Sequence, residues 1–193
     1  WYSAHFAGQA NHAGTTPMEL RRDALTGAAE WILCVEDLAR KTPDLVATVG
    51  QITVRPGVTN AVPGRADVTL DIRHPDDALL KNLAGQLEEK ARNIASRRQL
   101  DFGLEERSFM PAAPCAVDLM DRWEKSLQAM GLPPFRLLSG AGHDARVVAL
   151  KRPVSMLFIH SPRGLSHHPE EAVREKDVAL ALEAAIRYFQ SLS

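Results

Sequence analysis

Histidines set beside glycines and carboxylates are the residues of this chain best suited to chemistry. Gly164-Leu165-Ser166-His167-His168-Pro169-Glu170-Glu171 lies near the C-terminus, and Ser139-Gly140-Ala141-Gly142-His143-Asp144-Ala145 precedes it. A neutral imidazole in such a turn can ligate a divalent metal or donate a hydrogen bond to a polarised carbonyl. His167 is the strongest ligand candidate. It follows an apolar run through a Gly turn, where α/β sheets place their ligands, and Glu170 or Glu171 could orient its ring. The alternative is a surface loop whose glutamates favour a helix N-terminus. Beside His143, glycines allow close approach to a ligand and Asp144 could fix a tautomer; the alternative is a helix cap at Asp144 with His143 incidental.

A third cluster, Asn11-His12-Ala13-Gly14-Thr15-Thr16-Pro17-Met18, opens the chain at a strand-to-helix junction. A donor at His12 could stabilise a developing oxyanion, or His12 could be an ordinary loop residue. Asn60 lies in a loop bracketed by Pro56-Gly57 and Pro63-Gly64, and Arg73 follows it on the polar face of a strand. Arginine grips carboxylates bidentately, with asparagine adding a donor; pairing of Arg73 with Asp71 or Asp76 is the competing reading. His5, His74 and His160 have no supporting context and read as structural.

The elements that must position these groups follow from periodicity. Trp1 to Gly8 reads as a strand. Thr16-Pro17-Met18-Glu19 has the form of a capping box, and Leu25, Ala28, Ile32, Val35 and Ala39 carry a helix to about Lys41. Val46 to Val54 is β-branched. Ala66, Val68, Leu70 and Ile72 alternate with polar residues, predicting a half-buried strand. Leu80, Leu83, Leu87, Ala91 and Ile94 mark a second amphipathic helix, and Gln99 to Phe109 a last strand. This order predicts an α+β, ferredoxin-like βαββαβ unit over residues 1–112, with helices on one sheet face. Pro111-Ala112-Ala113-Pro114 reads as a linker. Residues 113–193 then read as an α/β segment of an incomplete domain. It has a helix bearing Met120, Trp123, Leu127 and Met130 that stops at Gly131, a doubly buried strand over Val154 to Ile159, and a final helix with Val178, Leu182, Ile186 and Phe189.

Composition excludes several classes. The 193 residues are 45% hydrophobic and 24% charged with a formal net charge of −1, so no basic footprint marks nucleic acid or an anionic membrane as a partner. No apolar run approaches the ~20 residues of a membrane span. Cys34 and Cys115 fit neither a disulfide framework nor a C-x-x-C site and are expected to be thiols in a reducing cytoplasm. The start at Trp1, inside a predicted strand, suggests a piece of a longer protein.

Taken in order, these motifs resemble the hydantoinase/carbamoylase family of dinuclear metal amidohydrolases. They are Asn11 to Met18 with Arg22-Asp23-Ala24, Pro56-Gly57 through Asn60 to Pro63-Gly64, Leu70-Asp71-Ile72-Arg73, Ser139 to Ala145, and Gly164 to His167 with Pro169 and Glu171. The family includes N-carbamoyl-L-amino acid hydrolases and allantoate amidohydrolases, within a superfamily of aminoacylases and zinc carboxypeptidases. The resemblance implies a lid, or dimerisation, domain over 1–112 and the C-terminal part of a catalytic domain over 113–193. It implies His167 as a metal ligand, and His12 as a group reaching into the partner subunit's site of a homodimer to stabilise a tetrahedral intermediate. Asn60 and Arg73 are implied to hold the substrate carboxylate, and His143 to bind substrate. The implied cofactor is a divalent metal, zinc or manganese, two per site in the whole enzyme; whether this chain alone holds any is left open. Members also carry an upstream half with a His-x-Asp pair, a Glu-Glu pair and a further histidine. Those motifs are absent here, so this chain by itself is expected to be inactive. His160 stands where a proline is common. A metallopeptidase or aminoacylase of the same superfamily, or a non-catalytic dimerisation module, are the competing readings.

Overall fold

A computed structural model describes residues 1–192, which divide into two compact units, residues 1–112 and residues 113–192. In the first unit the strands are β1 (Tyr2–Ala7), β2 (Asn11–His12), β3 (Val46–Thr48), β4 (Ile52–Arg55), β5 (Ala61–Val62), β6 (Arg65–Arg73) and β7 (Asp101–Glu106), with helices α1 (Ala24–Lys41) and α2 (Asp77–Arg97). All pairings are antiparallel. β6 lies between β1 on one side and β3 with β4 on the other, and β1 continues to β7. β2 and β5 form a separate ribbon.

Side-chain alternation explains the sheet. Ala66, Val68, Leu70 and Ile72 of β6 are buried with Ala4 and Phe6 of β1, while Asp67, Asp71 and Arg73 take the other face. The buried face meets Ala28, Trp31 and Val35 of α1 and Leu83, Leu87, Ala91 and Ile94 of α2. Trp31 joins the layers: its indole N–H donates to Leu87 O at 2.8 Å, and its ring lies 6.2 Å from Phe6.

The helix start differs from the capping-box expectation at Thr16. Met18–Leu20 makes only a 3-10 turn, the chain breaks through Arg21 and Arg22, and α1 begins at Ala24. Asp23 is the cap, its Oδ1 accepting from Leu25 N and Thr26 N at 2.9 and 3.2 Å. Thr16 instead donates its hydroxyl to His12 O at 2.7 Å, so its oxygen serves the preceding loop. The strand expected over Val46 to Val54 is interrupted at 49–51, and β3 and β4 pair with opposite ends of β6.

The second unit holds α3 (Val117–Ala129), α4 (Asp144–Ala149) and α5 (Glu175–Gln190). Trp123 stacks on Tyr188 at 4.1 Å, and Ser126 donates to Ala184 O at 2.6 Å, fastening α3 to α5. The strand expected over Val154 to Ile159 does not form. Among the described residues no strand of this unit lies beside it, so its amides have no ladder, and Phe158 and Ile159 are exposed. The apolar positions of α5 at Val178, Leu182, Ile186 and Phe189 are exposed as well.

Candidate functional site

The ribbon of β2 and β5 builds the best-defined part of the site. His12 pairs with Ala61 across it, and Ala13 N donates to Asn60 O at 2.8 Å, so the chain positions of His12 and Asn60 are brought together. His12 sits on a closed loop. Asn11 Oδ1 accepts from His12 N at 2.8 Å, and His12 O accepts from Thr16 N and from the Thr16 hydroxyl. Gly14 N donates to His12 Nδ1 at 3.0 Å. His12 and Asn60 are both exposed.

Arg73 is placed elsewhere. The ribbon leaves the sheet at the Arg65 end of β6, where Gly8 N bonds Gly64 O, whereas Arg73 ends the strand. Eight residues at ~3.3 Å each separate Arg65 from Arg73 by roughly 26 Å. Arg73 grips Asp71 through Nε at 2.8 Å and Nη2 at 2.5 Å. That grip holds the Asp71 carboxyl below its ordinary range, and Asp71 in turn raises the Arg73 guanidinium. The competing reading of an Arg73–Asp71 pair is therefore realised, and any carboxylate reaching Arg73 would share the guanidinium with Asp71.

In the second unit His143 is half-buried at the N-cap of α4. Its Nε2 lies 2.7 Å from Ser139 Oγ, and its ring meets Phe158 edge-on at 5.8 Å. Ser139, rather than the expected Asp144, fixes this imidazole, because Asp144 is already the first helical residue. His167 is exposed, with a left-handed φ of 55°. Neither neighbouring glutamate orients its ring: Glu171 Oε2 accepts from the His167 backbone N–H at 2.8 Å, and Glu170 pairs with Arg163.

A divalent metal needs several such donors converging. Among the described residues no three His, Cys, Asp or Glu side chains gather as a metal site would require, so the donor set does not fit a complete metal centre. His5, His74 and His160 are engaged structurally. The His5 ring covers Gly103, His74 Nδ1 accepts from Asp76 N at 2.9 Å, and His160 bonds Arg174 at 2.7 Å. Arg21 bonds the backbone carbonyls of Ala13 and Thr16, and Ser139, which opens the His143 motif, bonds a ring four residues on; neither contact is marked by residue type or spacing.

The antiparallel sheet packed against two helices, with a separate ribbon that carries His12, makes this a mixed α/β chain. Residues 14–191 match the family described as Peptidase family M20/M25/M40, and the chain belongs to that family. It is 36% identical over 183 residues to the N-carbamoyl-L-amino acid amidohydrolase of Geobacillus stearothermophilus, covering 95% of this chain and 45% of that protein. It is also 36% identical over 183 residues to the allantoate amidohydrolase of Escherichia coli (strain K12), covering 92% and 44%. A hydantoinase/carbamoylase family amidase from Burkholderia multivorans has a TM-score of 0.94 at 33% identity, over 99% of this chain and 47% of that one. The chain thus spans less than half the length of these relatives. No described helix is long and apolar enough to cross a membrane.

Proposed function

We propose that this chain is the lid and C-terminal catalytic segment of a metal-dependent amidohydrolase. The whole protein would hydrolyse a ureido or carbamoyl C–N bond in a small carboxylate-bearing substrate, an N-carbamoyl-L-amino acid or allantoate. The observation that carries the reading is the ribbon that brings the His12 loop against Asn60. The named activities of the relatives support the bond type. Residues 1–112 serve as a ferredoxin-like lid, a reading supported by the order of β3/β4, β6, β1 and β7 with both helices on one face. Residues 113–193 belong to the catalytic domain, and the bared apolar positions of α5 suit a segment covered by further chain.

His12 donates to the oxygen of the substrate carbonyl as charge develops on it. Arg73 and Asn60 hold the carboxylate, and His143, steadied by Ser139, contacts the substrate. Because Arg73 lies at the far end of β6 from the ribbon, a small substrate held by both groups needs two copies of the chain. This supports a homodimer formed through the lid. His167 is one ligand of a divalent metal, zinc or manganese, whose other ligands and general base lie outside these residues; this segment alone is inactive. Free Cys34 and Cys115 suit a cytoplasmic protein.

The test is turnover by the full-length protein on N-carbamoyl and N-acetyl amino acids and allantoate, with His12→Ala as the variant. Removing one oxyanion donor lowers kcat by about 10²–10³-fold. Metal content and KM should stay near those of the parent. Retained turnover in His12→Ala, or preference for N-acetyl substrates, would overturn the reading.

A further inference from the structure

His12 is held by an apparatus larger than its own strand, and Arg21 completes it. Arg21 Nη2 donates to Ala13 O at 2.6 Å and Arg21 Nε donates to Thr16 O at 3.0 Å. These carbonyls flank the turn in which Gly14 N meets His12 Nδ1 at 3.0 Å. Arginine suits the task because its rigid fork can bond two carbonyls at once. Arg21 is half-buried, so its guanidinium gives up part of its water for these bonds. The chain at Arg21 is itself fixed, its N–H reaching Met18 O at 3.3 Å before Asp23 caps α1.

The chemistry of the bond to Nδ1 is directional. A backbone amide can only donate, so His12 Nδ1 must present its lone pair and the single proton of the neutral ring sits on Nε2. Among the described residues, Nε2 makes no hydrogen bond, which leaves that N–H for a ligand. Gly14 also leaves the ring its space, since a Cβ at that position would stand 3.2 Å from His12 Cε1.

We propose that Arg21 is a positioning residue. By gripping Ala13 O and Thr16 O it holds the Gly14 amide against His12 Nδ1, and so presents His12 as an Nε2–H donor. This inference rests on the proposed role of His12, but its first readout does not require activity.

The measurement is long-range ¹H–¹⁵N correlation on the 193-residue chain labelled at histidine nitrogens, with His12 assigned through His12→Gln. The parent should show His12 as the Nε2–H tautomer. Arg21→Met should raise the Nδ1–H population roughly fivefold, the weight of one ordinary hydrogen bond. Amide signals of β1 and β6 should stay in place. If Arg21→Met does not fold, Arg21→Lys, whose compact ammonium lacks the planar fork that spans both carbonyls, should give a smaller shift in the same direction. A parent in the Nδ1–H form, or an unchanged tautomer in a folded Arg21 variant, overturns the inference. In the full-length protein Arg21→Met should lower kcat by about 100-fold, as expected for a misplaced catalytic group, with KM little changed. A tautomer shift with undiminished turnover would uphold the positioning by Arg21 and sink the proposed role of His12.

Discussion

Trp31→Phe tests what holds the first unit together. Trp31 is 0% exposed, its indole N–H donates to Leu87 O at 2.8 Å, and its ring lies 6.2 and 6.4 Å from Phe6 and Phe102. Phenylalanine keeps an aromatic ring in the layer but removes the donor. The carbonyl of Leu87 lies inside α2 and retains its helical partner, so no buried group is orphaned and the lost bond costs about 1 kcal/mol. The smaller ring leaves a void, which at roughly 24 cal/mol per Å³ adds about 1 kcal/mol more. The sum, about 2 kcal/mol, is a roughly 30-fold loss in the folding equilibrium. Trp31→Ala should cost about 4 kcal/mol, because cavity and transfer losses then dominate. Leu33 is the control. It lies on the same helix but is 65% exposed, so Leu33→Ala should stay within about 0.5 kcal/mol. Native-state hydrogen exchange of the Val68 and Leu70 amides in β6, with urea denaturation, reads these values. A Trp31→Phe loss below about 0.5 kcal/mol, or one equal to that of Trp31→Ala, would refute the account of two separable contributions.

Other predictions follow from the caps and ion pairs. Asp23→Ala removes the acceptor for Leu25 N and Thr26 N and should destabilise the first unit by about 1 kcal/mol, read by urea denaturation. Asp71 has a folded pKa lowered chiefly by its hydrogen bonds to Arg73, so its stabilisation is present above the unfolded pKa of about 3.9 and is lost as pH falls through the folded value. Asp71→Asn should therefore flatten the acid limb of a stability–pH curve, and an unchanged limb would exclude the pair as a contributor. In the full-length protein, Arg73→Ala should raise KM about 10- to 100-fold through loss of a charge-assisted contact, with kcat less affected; steady-state kinetics decide this.

Legibility in the sequence followed the range of the interactions. β6 and α2 could be read because alternation and helical spacing are local and their apolar faces really are buried, as at Val68, Leu70, Leu83 and Leu87. The start of α1 is ambiguous in sequence because Thr16 and Asp23 are both good caps, and the Thr16 hydroxyl is taken by His12 O within the preceding loop, which leaves Asp23 as the cap. The run at Val154 to Ile159 has the composition of a buried strand, but a strand also needs neighbours to take its amides, and composition does not supply them. His12 and Asn60 were recognisable as candidates by residue type and motif. That they adjoin depends on the ribbon register, and that Arg73 does not depends on the length of β6.

The same strand ties stability to function. On β6 the even positions from Ala66 to Ile72 form the core, and the odd positions put Asp71 and Arg73 on the opposite face. A shift of one residue in its pairing with β1 would bury Arg73 and expose Leu70, so the hydrophobic pattern fixes the face on which the guanidinium stands. At its other end, Gly64 N bonds Arg55 O and Gly64 O accepts from Gly8 N, so the ribbon carrying His12 and Asn60 leaves from a point fixed on both sides. A candidate site built this way takes its rigidity from the core beneath it, as preorganised donors require. Loosening Trp31 or Phe6 should therefore blur the His12 loop as well as lower stability, whereas loosening Arg21 should disturb the loop alone.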